Sequence, residues 1–149
     1  MASLAQLRLV ASLEEKKSQS LSRQYQQAKQ YLFENQQKLA GLEQYRLDYL
    51  KQIKQKVTVG VNTKTLIQHQ NFVGKLDKAC QQQTEIINQS VLVCEQRKKQ
   101  WLAQEAKAQA ILKLIDKNEE KQRINQSRLE QKMFDEISSQ QFIRRSSHI

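Results

Sequence analysis

KQKVTVGVNTKT, residues 54–65, decides how this chain folds, because helical periodicity runs up to it from one side and away from it on the other. Val57, Thr58, Val59, Val61, Thr63 and Thr65 are β-branched, which restricts their side chains against a helical backbone, and Gly60 lies at the centre of the run. The stretch therefore reads as a turn between two helices. Asn62 and Thr63 each carry an oxygen able to accept from a backbone N–H, so either is a candidate cap for a helix starting near Lys64. The rival reading, a short strand over VTVGV, has no partner strand elsewhere in the sequence.

The composition agrees with a helical reading. The 149 residues have room for one domain; Pro is absent, Gly occurs three times, and Gln, Lys, Glu, Leu and Ala dominate. Only 38% of residues are apolar and 6% aromatic, too few to fill a broad core but enough for a seam between two helices. The expectation is an all-α protein, a long antiparallel two-helix coiled-coil hairpin: helix over about 4–55, turn over about 56–64, helix over about 65–143.

Before the turn, Leu4, Ala11, Tyr25, Leu32, Leu39 and Ile53 fall in one column of a seven-residue repeat, and Leu7, Leu21, Ala28, Leu42 and Tyr49 in the other. Glu14, Ser18, Asn35 and Arg46 interrupt these columns; polar residues in a seam lower stability and fix register. After the turn, Leu66, Val73, Cys80, Ile87, Cys94, Trp101, Ala108 and Ile115 make a regular column. Its companion holds Leu76 and Ile111 but also Gln83, Ser90, Arg97 and Gln104, so this seam reads as one-sided. Folding back about Gly60 and Val61 sets residues whose numbers add to about 121 level with one another. Tyr49 then lies near Phe72, Tyr45 near Leu76, Leu42 near Ala79, and Trp101 near Ser20 and Leu21. The first arm runs out of length near Lys117. Beyond it, residues 116–128 read as a solvated single helix or a frayed one. Leu129, Met133 and Ile137, with Ile143, then form an apolar stripe with no intrachain mate, which implies another molecule. The final SSHI reads as disordered.

No catalytic constellation is present: no Gly-rich phosphate loop and no Ser/His/Asp set that two helices would bring together. Glu14/Glu15 and Glu119/Glu120 read as solvated carboxylates. Cys80 and Cys94 share a helix face but stand roughly 21 Å apart, too far for a disulfide within an intact helix. With only His69 and His148 in addition, there is no metal-ligand spacing, and neither a metal nor a cofactor is expected. The formal charge of +10 favours an acidic partner, although the basic residues are scattered among Glu and Gln as on a solvated face. Arg97, Lys98, Lys99, Arg144 and Arg145 are the tight basic groups and read the same way. Residues 1–13 hold Arg8 within their apolar run and show no signal-peptide cleavage pattern; no window reads as a membrane span. A cytoplasmic location is expected.

Tyr45, Phe72 and Ala79 fall one position before the seam, and with Leu42, Tyr49 and Leu76 they gather apolar side chains near the turn. Two readings stand side by side: they widen the seam, or they present a half-exposed patch to a partner.

Leu42, Tyr45 and Tyr49, then Phe72, Leu76 and Ala79, then Trp101, then Arg128, Gln131, Lys132, Asp135 and Glu136, in that order about a turn so placed, resemble the FliJ family of the flagellar type III export apparatus. The resemblance implies a hairpin akin to the central shaft of rotary ATPases, with no enzymatic activity of its own. It implies binding to the hexameric export ATPase FliI, with Arg128, Leu129, Lys132, Met133, Asp135 and Glu136 as contacts near one end. It implies engagement of the membrane export gate FlhA through the patch, a role in handling export chaperones, and attachment to the inner membrane only through these partners. In the family the patch also includes a Gln and a His, where this sequence has Lys38 and Gln83. Outside the resemblance, a basic coiled-coil nucleic-acid binder and a homodimeric coiled coil remain open. The first lacks a concentrated basic region and aromatics interleaved with Lys/Arg, so no nucleic acid is expected.

Overall fold

A computed structural model describes residues 3–147. They form two helices packed against each other, α1 (Leu4–Val59) and α2 (Thr63–Ser147), with no strand among the described residues. α1 opens with a capping box: Ser3 Oγ accepts from the Gln6 N–H and Gln6 Oε1 accepts from the Ser3 N–H, at 3.1 and 2.9 Å.

The reversal is tighter than the β-branched run suggests. Val57, Thr58 and Val59 are helical, and only Gly60, Val61 and Asn62 lie outside the helices. β-Branched residues cost a helix only about half a kcal/mol each relative to Ala, and the Thr58 hydroxyl finds its partner within the helix, donating to the Lys54 carbonyl at 2.8 Å. Termination falls to Gly60, whose φ of 106° is ready only for a residue without a Cβ; its N–H still donates to the Lys56 carbonyl at 2.9 Å. Asn62, not Thr63, caps α2: its Oδ1 accepts from the Thr65 N–H at 2.8 Å.

The described chain falls into two compact units. In the one spanning Gln19–Ala103, the side chains withdrawn from solvent recur every three or four positions on both helices, from Leu21 to Ile53 and from Leu66 to Trp101. The companion column on α2 is not a weak half of the seam. Gln83 is buried and its Nε2 donates to Asn35 Oδ1 at 2.9 Å and to the Asn35 carbonyl at 3.0 Å, while Asn35 Nδ2 donates to the Tyr31 carbonyl. Arg97, read as solvated, donates to Gln24 Oε1 at 3.1 Å, and Ser90 returns its hydroxyl to the Ile86 carbonyl. At the Asn35–Gln83 and Gln24–Arg97 levels a polar residue on one helix meets a polar residue on the other, and Ser90 is satisfied within its own helix. Trp101 packs on Tyr25, ring centroids 5.7 Å apart, about one turn from the expected level of Ser20 and Leu21.

The other unit joins the described residues up to Ser18 with those from Gln104 onward. Leu7, Ala108 and Ile115 are buried. Glu14 is buried with them rather than solvated like its neighbour Glu15: Gln104 Nε2 donates to its carboxylate and, at 3.1 Å, to its carbonyl. Glu119 and Glu120 are exposed and face Arg8 and Arg123. From Glu119 onward every described residue of α2 is exposed, yet the helix persists through Ser146 and Ser147, which were expected to be disordered; His148 and Ile149 lie outside the described residues.

Donation by Gln104, aided by the charges of Lys107 and Lys17, holds the Glu14 carboxyl below the ordinary glutamate range despite its burial. A depressed folded value means the ionised carboxylate stabilises the fold above the unfolded value, and that contribution is lost as pH falls through the folded one. The thermal midpoint should therefore fall between about pH 5 and pH 3, and fall less in Glu14→Gln, which keeps the shape without the titration. Parallel profiles for the two proteins would refute the assignment.

Candidate functional site

The expected apolar cluster near the turn exists, and packing divides its members. Phe72 on α2 stands edge-on to Tyr49 at 4.7 Å between centroids and to Tyr45 at 6.3 Å. Such tilted pairs set the positive edge of one ring against the negative face of another. Tyr49 also shares a hydrogen bond with His69 Nδ1, its ring 5.6 Å from the imidazole. His69 is a member that sequence reading left out, although it sits in the companion column with Leu76 and Gln83. Leu76 is 7% exposed and belongs to the seam. Leu42, Tyr49, Phe72 and Ala79 are partly buried, and Tyr45 is 53% exposed. Arg46 and Asp77, paired at 2.8 Å, close one side of the cluster.

The two expected polar neighbours part company. Lys38 is exposed, as the rim of a surface patch must be. Gln83 is 4% exposed and held by Asn35, so it is not a rim residue but part of the interior layer. The patch that remains is a Tyr45 ring standing off the surface, backed by Phe72 and Tyr49.

The second set of candidates lies on the exposed end of α2. Arg128, Leu129, Lys132, Met133, Asp135 and Glu136 are all exposed, and Gln131 Nε2 donates to Asp135 Oδ1 at 3.3 Å along the helix. Leu129, Met133 and Ile137 follow one another at four-residue steps and so share a face. Phe134 and Phe142, exposed as well, escaped the periodicity reading because they lie off that stripe. Among the described residues no three His, Cys, Asp or Glu side chains gather as metal ligands. No helix among them is long and apolar enough to cross a membrane.

A family model described as Flagellar FliJ protein matches residues 3–147. The chain belongs to the FliJ family. No curated protein and no solved structure matches it. FliJ membership makes the chain a component of the flagellar export apparatus, and it directs attention to contacts with other proteins where apolar side chains are left uncovered. In this FliJ chain such places include Tyr45 with its backing rings, and the exposed length of α2 beyond Glu119.

Proposed function

We propose that this FliJ protein is a non-enzymatic interaction component that binds the hexameric ring of the export ATPase FliI and links it to the membrane export gate FlhA. The single observation that carries the reading is the continuous exposed helix over 119–147, where Leu129, Met133 and Ile137 are each more than half exposed with no intrachain cover. Soluble surfaces rarely leave such a stripe without a partner. The FliI contact is assigned to this stripe, with Arg128, Lys132, Asp135 and Glu136 beside it as charge pairs that form and break without deep burial. The FlhA contact is assigned to Tyr45, Phe72 and Tyr49 with Lys38 at the rim, and Leu42, Leu76 and Ala79 support them from the seam. Handling of export chaperones belongs to the same role. The protein would then act in the cytoplasm, reaching the inner membrane through its partners.

Replacing Leu129 and Met133 together by Glu should abolish capture of FliI while leaving the far-ultraviolet circular dichroism unchanged, because neither side chain is packed against the chain. Capture that survives the double substitution would remove the ATPase contact from this stripe. The +10 charge predicts in addition that affinity for FliI falls as salt rises; affinity indifferent to ionic strength would exclude charge as a cause.

A further inference from the structure

The flank of the Gln19–Ala103 unit that carries Tyr45 and Phe72 does not end with them. Tyr31, Lys38 and Tyr45 recur at seven-residue steps on α1, and Phe72, Ala79, Ile86 and Val93 do so on α2, each one position before a seam residue. At the far end of this row lies a groove of about 220 Å³ lined by Ala28, Tyr31, Ile86, Gln89, Ser90 and Val93. Tyr31 is 55% exposed, Val93 44% and Ile86 38%. The Ser90 hydroxyl proton is already committed to the Ile86 carbonyl, and Ala28, Tyr31, Ile86 and Val93 give the groove a mainly apolar lining, with the Gln89 amide beside it.

We infer that this flank, from Phe72 to Val93, is a docking surface for an amphipathic α-helix of a partner protein, carrying a carboxylate in its middle turn. The spacing supplies the first argument. Side chains seven residues apart on a helix repeat at roughly 10.5 Å, which another helix matches heptad for heptad, whereas the same face of a strand repeats at about 6.6–6.8 Å. Phe72 to Val93 spans about 32 Å, the length of about three heptads. Charge supplies the second. Lys38 stands between Tyr31 and Tyr45 on the row, and Lys75 is exposed beside it; neither has an acid within ion-pairing distance among the described residues. Glu34, between Tyr31 and Lys38 in the sequence, accepts from Gln30 Nε2 at 3.2 Å and makes no ion pair with Lys38. A second copy is a poor occupant, since a two-fold pairing of this face sets the central Lys38 against its own counterpart. The flank includes Lys38, Tyr45, Phe72 and Ala79, so the inference rests on the proposed contact there and extends it to the groove at Tyr31, Ile86 and Val93; Ile86→Glu and Val93→Glu lie outside that contact and test the extension by itself.

The test uses the full chain and two synthetic peptides of three heptads, both with leucine at each seam position. One carries glutamates in the middle heptad and the other lysines. By fluorescence anisotropy the glutamate peptide should bind at least tenfold more tightly than the lysine peptide. Lys38→Glu should reverse that order, and Ile86→Glu or Val93→Glu should abolish binding with helicity retained, as these side chains are exposed. Four results would overturn the inference: no binding at high micromolar peptide, binding without preference between the peptides, binding indifferent to Ile86→Glu and Val93→Glu, or sedimentation showing a dimer that Ile86→Glu dissociates. The last would assign the face to a second copy.

Discussion

Asn35→Leu alone is expected to lower stability by about 1–3 kcal/mol, whereas Asn35→Leu combined with Gln83→Leu should recover the loss and surpass the parent. The single change takes one of two acceptors from a Gln83 amide that is 4% exposed, the Asn35 Oδ1 that stood 2.9 Å away, and leaves it the Asn35 carbonyl at 3.0 Å alone. The double change replaces a matched polar layer by a matched apolar one, and burial of two leucines outweighs the net value of the three hydrogen bonds that the two amides make. Denaturant unfolding of the parent, both single variants and the double variant gives the coupling directly. The gain should come with a loss of register, because the Asn35–Gln83 layer is bonded only when these levels coincide. Spin labels at exposed Gln37 and Gln82, with Cys80 and Cys94 replaced by Ala, should report one distance in the parent and a broader distribution in the double variant. A single variant as stable as the parent, or a double variant less stable than either single, would show that Asn35 and Gln83 do not form a matched pair.

Near the turn, three truncations should separate packing from recognition. Leu76→Ala should cost about 2–5 kcal/mol, as a 7% exposed seam side chain with no easy collapse around it. Tyr45→Ala should cost less than about 1 kcal/mol, because over half of the residue faces solvent, yet it should weaken FlhA binding by at least about tenfold, equal to about 1.4 kcal/mol. Phe72→Ala should fall between in stability, since its ring packs on Tyr49 at 4.7 Å, and match Tyr45→Ala in binding. Calorimetry on all three variants, with binding to purified FlhA measured alongside, decides the matter. Tyr45→Ala with a core-sized stability loss would make the cluster a widened seam, and Tyr45→Ala with unchanged affinity would move the gate contact elsewhere.

The two-helix architecture was legible because it follows from local periodicity. Leu66, Val73, Cys80 and Ile87 at seven-residue steps specify a buried helical face whatever lies opposite. The level of Tyr49 with Phe72 followed from the position of Gly60 alone, and the structure places their rings together. The turn was read too long, because the β-branched run 57–59 signals reluctance to be helical, and that reluctance is smaller than the drive to continue an established helix. Only Gly60, with its positive φ, and Asn62, with its capping oxygen, had the stereochemistry to end one helix and begin the next.

The sequence by itself determined the helices, their seam and the uncovered stripe at 129–137, since each depends on the spacing of residues within one strand of chain. Tertiary structure alone decided what the polar seam positions do. Gln83, Arg97 and Gln104 look like defects along α2, and become a matched set once Asn35, Gln24 and Glu14 stand across from them. It also moved Gln83 from the rim of the patch to the interior while leaving Tyr45 outside. The physical reason is that a hydrogen bond is a property of two groups at one place, and a one-dimensional pattern records what each helix offers but not what it meets.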